Sequence, residues 1–246
     1  MPKEISKTQI DRLGDRIKRG AITEDDLRLL DRYRRSFTPA YEIVVGDIRD
    51  KLGLEPTGRP AKSTTSIADK LKRESIRLTQ IQDIAGCRII VADIAEQESV
   101  IQSLRGLFPK ATIYDRRAKP SHGYRAVHVV VNYDGKLIEI QVRTALQQVW
   151  AELSEKYSDV KDPLIKYGGG DKGLQKFLKD LSDLLATEEL DEKNLIYLTT
   201  SLEEERSDES IHWLDSVKER MRQQRLKFYR TLSGYVDQLS KLKDNQ

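Results

Sequence analysis

The sequence predicts an α/β (α+β) protein in which a mixed α/β centre is flanked by helices. Residues 4–52 show helical periodicity, with apolar side chains recurring every three to four positions. Between residues 87 and 143, short apolar runs rich in valine and isoleucine predict strands. Helical periodicity returns from residue 144 to near the end of the chain. This order of elements puts the strands in the middle of the sequence.

The N-terminal helices have recognisable ends. Helices are predicted at residues 4–19, 23–35, 38–52 and about 63–77. Ser6 and Thr23 are suitable N-cap residues because their hydroxyl oxygens can accept hydrogen bonds from the first backbone N–H groups. Gly20 is a typical helix terminator. A loop rich in Gly and Pro follows at residues 53–60.

The centre of the chain predicts strands around one helix. The strands are expected at residues 87–93, 111–115, 125–133 and 136–143, with the helix at 95–107. Asp134-Gly135 between the last two strands is a strong signal for a β-hairpin.

The C-terminal part predicts helices only. Thr144 and Gln147 form a capping box that begins the first of them. The run Gly168–Gly170 predicts a break, and two further helices are expected at 171–188 and 194–243. We therefore divide the chain into N-terminal helices (1–54), a core (55–160) and a helical extension (161–246).

Composition excludes several classes of protein. The chain has 246 residues and a net charge of +3, which is too small to indicate nucleic-acid binding by itself. No apolar stretch approaches the roughly 18 residues that a membrane span needs. The first residues lack the apolar core of a signal peptide. A single cysteine, Cys87, lies in an apolar strand and is expected to be a core residue. We expect a cytoplasmic protein with no membrane partner.

Three segments carry polar or charged residues at or beside predicted strands. They are Asp83–Val91, Gly123–His128 and Glu139–Thr144. Burying such groups without partners costs several kcal/mol each, so a buried sheet does not need them there. The segments therefore predict a charged cleft built on the sheet.

The helix that follows the Gly/Pro loop carries a basic stripe. One narrow sector of its helical wheel contains Lys62, Ser66, Lys70, Arg73 and Arg77. Such a stripe indicates either a solvated helix face or a clamp for a polyphosphate. Arg59, just before the helix, could join the clamp.

Two carboxylates are candidates for a metal site. Side chains alternate along a strand, so Glu139, Gln141 and Arg143 share one face and the intervening Ile and Val residues form the other. The polar face is either an exposed surface or the floor of a site. Asp83 precedes the predicted strand at 87–93, where it either caps a helix end or, if the two strands are adjacent, lies near Glu139. Two carboxylates with substrate phosphates suit Mg²⁺.

The third segment offers groups that could bind a nucleotide. Gly123 permits an unusual backbone angle, Tyr124 provides a flat ring for stacking, and Arg125 could bind phosphate. His128 lies among valines, where a histidine is more often structural than catalytic. The sequence contains no Walker loop and no His-Asp dipeptide. Together, these features predict magnesium–nucleotide phosphotransfer.

In order and spacing, the motifs resemble the synthetase domain of the RelA/SpoT family. The matching segments are Asp83–Ile89, Gly123–His128, Glu139–Thr144 and Trp150-Ala151, and the resemblance covers roughly residues 55–158. It implies a nucleotidyltransferase-like mixed β-sheet flanked by helices. The reaction that it implies transfers the β,γ-pyrophosphate of Mg²⁺-bound ATP to a ribose 3′-hydroxyl, here that of GDP or GTP, to make (p)ppGpp.

The resemblance also implies roles for individual residues. Asp83 and Glu139 would hold Mg²⁺, with Glu139 as the candidate base for the attacking hydroxyl. ATP would be bound by Arg59, Lys62, Ser66, Lys70, Arg73 and Arg88. Tyr124 would stack on the acceptor guanine, with Arg125 and His128 nearby and Gln141 and Arg143 supporting the floor.

Other acceptors and partners stay open at this stage. The helix after Trp150-Ala151 continues as Ser154-Glu155-Lys156, where alarmone-making members of the family usually have Glu-His-Lys. Some branches of the family are toxins, each paired with an antitoxin protein, that modify the tRNA 3′ end or make adenosine alarmones. A basic C-terminal stretch (Lys218, Arg220, Arg222, Arg225, Lys227 and Arg230) could guide tRNA or be a solvated helix face. An inactive nucleotide-binding module and a homo-oligomer are further alternatives.

Overall fold

The computed structural model describes residues 5–201 and 208–244. The helices are α1 (Lys7–Arg19), α2 (Glu24–Arg35), α3 (Thr38–Leu52), α4 (Thr64–Arg73), α5 (Ile94–Leu107), α6 (Ala145–Val160), α7 (Lys172–Ser201) and α8 (Asp208–Asp244). The strands are β1 (Thr57–Arg59), β2 (Ala85–Val91), β3 (Thr112–Asp115), β4 (Val127–Tyr133) and β5 (Lys136–Thr144). Short 3-10 helices lie at Leu78–Gln80 and Ile165–Tyr167. None of the helices in the described ranges is long and apolar enough to cross a bilayer.

The strands form a five-stranded sheet in the order β1-β2-β5-β4-β3. The predicted class, a mixed sheet flanked by helices, is confirmed. Strand β1 pairs antiparallel with β2, with Gly58 opposite Cys87. The sequence did not predict β1, because its three exposed residues lie in a Gly/Pro-marked loop and carry no apolar alternation. Gly58 is required there, since a Cβ atom would lie 2.4 Å from the carbonyl oxygen of Gly86.

The chain folds as two compact units. The first unit comprises residues 1–89, 102–114 and 128–141, and the second comprises 90–101, 115–127 and 142–246. In the first unit, α1 packs against α2, α4 and the 3-10 helix at Leu78–Gln80. In the second unit, α6 packs against α7 and α8 around a core that includes Trp150, Leu185 and Leu232. The boundaries at 54/55 and 160/161 stay a prediction.

The ends of the N-terminal helices follow the predicted caps. The hydroxyl of Ser6 accepts a hydrogen bond from the backbone N–H of Gln9, and that of Thr23 accepts one from Asp26. Gly20 ends α1 in the left-handed conformation, with a φ of 72°. Cys87 is buried, as expected, and burial together with the charge of Glu139 raises the pKa of its thiol to about 12.

Several predicted helix boundaries are wrong. Helix α1 begins at Lys7 rather than at residue 4, because Ser6 is its N-cap. Helix α4 ends at Arg73 rather than near Arg77, because Glu74 is extended and the ammonium group of Lys18 binds the Ile76 carbonyl. Arg77 therefore does not share the basic face of α4. Helix α7 continues through the predicted break at 189–193, which contains neither Gly nor Pro. Residues 202–207 of the predicted final helix lie outside the described residues.

The buried face of β5 should dominate the stability of the sheet. We expect Ile138→Ala, at a fully buried position, to lower the free energy of unfolding by about 2–5 kcal/mol. Ile90→Ala on β2 is the matched control, because Ile90 is 49% exposed and the loss of strand propensity is common to both variants. Urea denaturation measures both. Equal destabilisation would contradict the burial argument.

Candidate active site

Asp83 in the first unit is held by two lysine side chains. The ammonium group of Lys70 donates a hydrogen bond of 2.9 Å to one carboxylate oxygen, and that of Lys62 donates to the other. Burial opposes ionisation of this carboxyl group, but the two cations prevail and lower the pKa of Asp83 to about 2. Asp83 is therefore ionised at neutral pH. Two of the four cations in the predicted basic stripe, Lys62 and Lys70, bind it.

Arg34 of α2 fixes the segment that carries Lys62. Its guanidinium donates to the backbone carbonyl of Lys62 and, at 3.3 Å, to the hydroxyl of Thr64. The backbone N–H of Lys62 donates in turn to the carbonyl of Ile84, at 2.6 Å. Sequence reasoning missed Arg34, because it is one of several arginines in a charged helix and no local spacing distinguishes it.

Glu139 is buried on β5 and is oriented by two neighbours. Nδ1–H of His128 donates to one carboxylate oxygen at 2.9 Å, and the amide of Gln141 donates to the other at 2.7 Å. Burial and the nearby charge of Asp83 act to raise the pKa of Glu139, but the hydrogen bond and charge of His128, helped by Gln141, lower it overall. Asp83 and Glu139 are thus an interacting pair of ionised carboxylates.

The polar face of β5 is buried. The interpretation of this face as an exposed surface is therefore wrong. Glu139 is 8% exposed and Arg143 is 5% exposed, while Gln141 is half-buried. The opposite face forms the predicted core, because Ile138 and Ile140 are fully buried. Close approach of β2 and β5 depends on Gly86, where a Cβ atom would lie 2.7 Å from the Glu139 carbonyl oxygen.

The other residues predicted to bind ATP lie along β1, α4 and β2. Arg59 is exposed at the end of β1, and Arg88 is half-buried on β2 opposite Thr57. The backbone N–H of Ser66 is capped by Ser63 at 3.2 Å, which fixes the first turn of α4. Arg73, at the last position of α4, pairs with Glu74 at 3.5 Å.

In the second unit, Arg143 connects Tyr124 to α6. Its guanidinium donates to the Tyr124 hydroxyl and to the side-chain oxygen of Gln148, each at 2.9 Å. The guanidinium carbon also lies 5.0 Å from the centroid of the Tyr124 ring, a cation–π distance. Gln148 is a further residue that sequence reasoning missed, because one polar residue on an amphipathic helix gives no signal.

The loop before Tyr124 is fixed on α6 and α7. Gly123 has a φ of 90°, and a Cβ atom there would lie 2.6 Å from the Trp150 ring. Ser182 donates to the Gly123 carbonyl at 2.5 Å and accepts from Arg125 at 3.0 Å. Arg125 also binds Asp183 at 2.9 Å and the carbonyl of Arg117. Arg125 is therefore engaged by protein groups, and its predicted contact with a phosphate stays a prediction.

The donor set fits a magnesium ion that shares its ligands with a substrate. Within the part of the chain that the structure describes, no group of three or more His, Cys, Asp or Glu side chains is placed to hold a metal. Mg²⁺ commonly takes only one or two protein carboxylates and completes its shell with phosphates and water. Asp83 and Glu139, both ionised and close enough to interact, match that requirement.

The central part of the chain matches a known protein family. Residues 58–159 match the family described as "Region found in RelA / SpoT proteins". The match covers 102 of the 246 residues, and we call this segment the RelA/SpoT region. It contains the two carboxylates, the basic helix and the Gly123–His128 segment, which confirms the resemblance drawn from the motifs.

Relatives and solved structures agree with the RelA/SpoT assignment. An uncharacterised protein of Mycobacterium tuberculosis (strain ATCC 25618 / H37Rv) is 37% identical over 115 residues, which cover 45% of this chain and 42% of that protein. A guanosine-3′,5′-bis(diphosphate) 3′-pyrophosphohydrolase of Aquifex aeolicus is 31% identical over 147 residues, covering 54% of this chain and 19% of that protein. The chain therefore spans less than half the length of these curated relatives.

The fold is that of small alarmone synthetases. Small alarmone synthetase 1 from Bacillus subtilis aligns with a TM-score of 0.52 and 24% identity, covering 70% of this chain and 99% of that one. The same protein bound to its product pppGpp aligns with a TM-score of 0.53 and 23% identity, covering 69% and 99%. Both alignments cover nearly the whole synthetase, so the RelA/SpoT region and part of its surroundings share that fold.

The ionisation of Asp83 should depend on its two lysines. We expect carbon NMR to show a pKa of about 2 for Asp83 in the wild type and a pKa above the ordinary 3.8 in a Lys62→Met, Lys70→Met variant, where burial acts alone. Because the folded-state pKa is depressed, this ion-pair stabilisation is complete above the unfolded-state value and is lost as the pH falls through about 2.

Asp26 is an internal control for this titration. Its pKa of about 2 depends on hydrogen bonds from Arg16, so it should stay unchanged in the variant. If Asp83 still titrated near 2 without its lysines, the electrostatic account would be wrong.

Proposed function

We propose that this protein is a Mg²⁺-dependent pyrophosphokinase that transfers the β,γ-pyrophosphate of ATP to the ribose 3′-hydroxyl of GDP or GTP. The observation that carries the proposal is the interacting carboxylate pair, Asp83 and Glu139, with Lys62 and Lys70 bound to Asp83. The RelA/SpoT region and the small alarmone synthetase fold support it.

The charge balance of the pair suits a nucleotide with a bound cation. Two ionised carboxylates repel each other at short range, and the lysine ammonium groups offset that repulsion. A divalent cation, when bound by Asp83 and Glu139, would neutralise the negative charge that develops on the transferred phosphates. Lys62 and Lys70 would then turn from Asp83 to the ATP phosphates, which the exposed Arg59 could also contact.

Glu139 is the candidate base for the attacking hydroxyl. Its carboxylate is ionised, and His128 and Gln141 fix the directions in which its oxygens can accept a proton. A group held in this way loses little entropy when it aligns with a substrate. Most of the rate enhancement in such a transfer comes from positioning and charge neutralisation, so the lowered pKa of Glu139 is compatible with the role.

The acceptor would use Tyr124. Its ring is half-buried and already has a guanidinium 5.0 Å from its centroid, so the ring is rigidly positioned for a base to stack on it. We assign guanine as the first candidate base because a small alarmone synthetase with the same fold binds pppGpp.

A second candidate acceptor is the 3′ end of tRNA or an adenosine nucleotide. The observation in its favour is Ser154, which is buried on α6 at a position where alarmone-making members of the family usually have Glu. Exposed cations along α8, such as Lys218, Arg220 and Lys227, would suit tRNA phosphates. Such an enzyme would be a toxin with an antitoxin partner.

A transfer assay distinguishes these acceptors. Purified protein is incubated with γ-labelled ATP and Mg²⁺, with GDP, GTP, ATP and deacylated tRNA offered in parallel. A labelled guanosine product supports the first proposal, and labelled tRNA, or a labelled adenosine product with more phosphates than ATP, supports the second. The absence of labelled product with all four would leave an inactive nucleotide-binding module and overturn both.

Removal of the Glu139 charge should abolish transfer. We expect Glu139→Gln to reduce kcat by at least about 100-fold, because amide replacement removes both the base and a cation ligand. Circular dichroism should show that the fold is retained, although one of the hydrogen bonds from His128 and Gln141 is lost because the amide nitrogen cannot accept it. Glu42→Gln on α3 is the matched control, because Glu42 is exposed. Retained turnover in Glu139→Gln would refute the assignment.

Helix α4 should contribute to ATP binding. We expect Lys70→Ala to raise the KM for ATP by about tenfold, with a smaller increase for Arg73→Ala, because Lys70 is directed at Asp83 while Arg73 is exposed beside Glu74. Lys72→Ala removes the same charge from an exposed position of the same helix and serves as the control. Unchanged KM values in both variants would favour the solvated-face interpretation.

A further inference from the structure

A cationic cavity of about 300 Å³ lies in the second unit, next to the loop that carries Tyr124. Its walls include three lysines from the start of α7, namely Lys172, Lys176 and Lys179, and the imidazole of His122 from the loop. Its remaining lining contains no carboxylate. Neither the RelA/SpoT region nor any of the motifs described above includes the three lysines.

The three lysines share one face of α7. They are spaced four and three residues apart, which aligns them on successive helical turns. Lys176 pairs with Asp180 at 2.5 Å and Lys179 pairs with Asp183 at 2.8 Å, but all four side chains are more than 45% exposed, so these pairs contribute little. Lys172 makes no hydrogen bond or ion pair within residues 5–201 and 208–244. The cavity therefore has one lysine, Lys172, without a carboxylate partner in the described residues and two whose ion pairs are exposed to solvent.

The backbone fixes His122 in the cavity wall. His122 has a φ of 52°, an unusual value for a residue with a side chain, and the next residue is Gly123 with a φ of 90°. The imidazole lies against Gly168, where a Cβ atom would come within 2.2 Å of the ring. The glycine run at 168–170, which looks like a simple break in the sequence, thus makes room for this imidazole.

The cavity and the candidate acceptor ring share a loop, because His122 lines the cavity and Tyr124 carries the ring. His122 is two residues from Tyr124, and the loop between them is fixed by Ser182 and the Trp150 ring. A base stacked near Tyr124 would carry its phosphates on the attached ribose, within reach of neighbouring side chains. Lysines bind phosphate as mobile point charges, and a cavity of this size can hold one or two phosphate groups.

We propose that the cavity formed by His122, Lys172, Lys176 and Lys179 binds a phosphate of the acceptor. This inference rests on the proposed function, because it deepens the description of the acceptor side. The phosphate is either the 5′-polyphosphate of a guanosine nucleotide or a backbone phosphate of RNA. In both cases the helical extension, outside the RelA/SpoT region, selects the acceptor.

A double variant tests the proposal. Lys172→Ala, Lys176→Ala should raise the KM for the acceptor by about tenfold or more, while kcat and the KM for ATP stay unchanged. Lys193→Ala, at an exposed position further along α7, is the matched control. An acceptor KM equal to that of the wild type would overturn the proposal while leaving the proposed function intact.

The source of the phosphate follows from two comparisons. With GTP, GDP and GMP as acceptors, a 5′-polyphosphate contact predicts that the wild-type KM rises as phosphates are removed and that the double variant loses this dependence. With deacylated tRNA, a backbone contact predicts a shallower dependence of affinity on salt in the double variant. Either pattern supports the cavity as the acceptor phosphate site, and the absence of both overturns it.

Binding without turnover separates this inference from the proposed function. Calorimetry with tripolyphosphate in the presence of a chelator measures phosphate binding without transfer, and the difference between the wild type and the double variant is the contribution of the cavity. If the wild type transfers label to no acceptor, the proposed function fails. The cavity is then judged by whether the double variant loses tripolyphosphate binding that the Lys193→Ala control keeps. Equal binding in both variants would overturn the site.

Discussion

The ion pairs of Asp83 with Lys62 and Lys70 are the interaction on which the carboxylate cluster depends. Burial by itself raises the pKa of the Asp83 carboxyl group and so disfavours its ionised form. Two ammonium groups reverse that balance and keep Asp83 ionised, with a pKa of about 2. The ligand-free cluster is thus close to neutral. A magnesium nucleotide would bring phosphates for the lysines and a cation for the carboxylates, so binding exchanges partners without creating uncompensated charge.

Glycines at three positions permit close approach of backbone segments in the two units. Gly58 and Gly86 allow β1, β2 and β5 to approach without side chains between them, and Asp83, which precedes β2, influences the pKa of Glu139 on β5. In the second unit, Gly123 allows the backbone to pass directly over the Trp150 ring. The positive φ of Gly123 shows that its requirement is conformational as well as steric. Substitution at these positions would displace the backbone that carries the charges.

The sequence predicts those parts of the structure that local patterns encode. Period-two alternation placed Glu139 on the face opposite Ile138, and the Asp134-Gly135 turn placed the hairpin. It could not predict that the polar face is buried, because burial depends on residues far away in the chain. The role of Arg34 is equally non-local, since it reaches Lys62 across 28 positions. Helix α7 continues through its predicted break for a similar reason. Glu189, in that segment, is buried and accepts hydrogen bonds from Thr144 and Gln147, which are distant in the sequence.

The helical extension holds the segment that carries the proposed acceptor residues. Ser182 and Asp183 of α7 hold Gly123 and Arg125, which lie inside the RelA/SpoT region. Glu189 binds the capping residues of α6, Thr144 and Gln147, and burial raises its pKa despite these hydrogen bonds. The first turn of α6 is therefore built from both segments. Because α7 supports these residues and supplies the lysine cavity, we expect the proposed acceptor choice to depend on the extension and the proposed transfer chemistry to depend on the carboxylates.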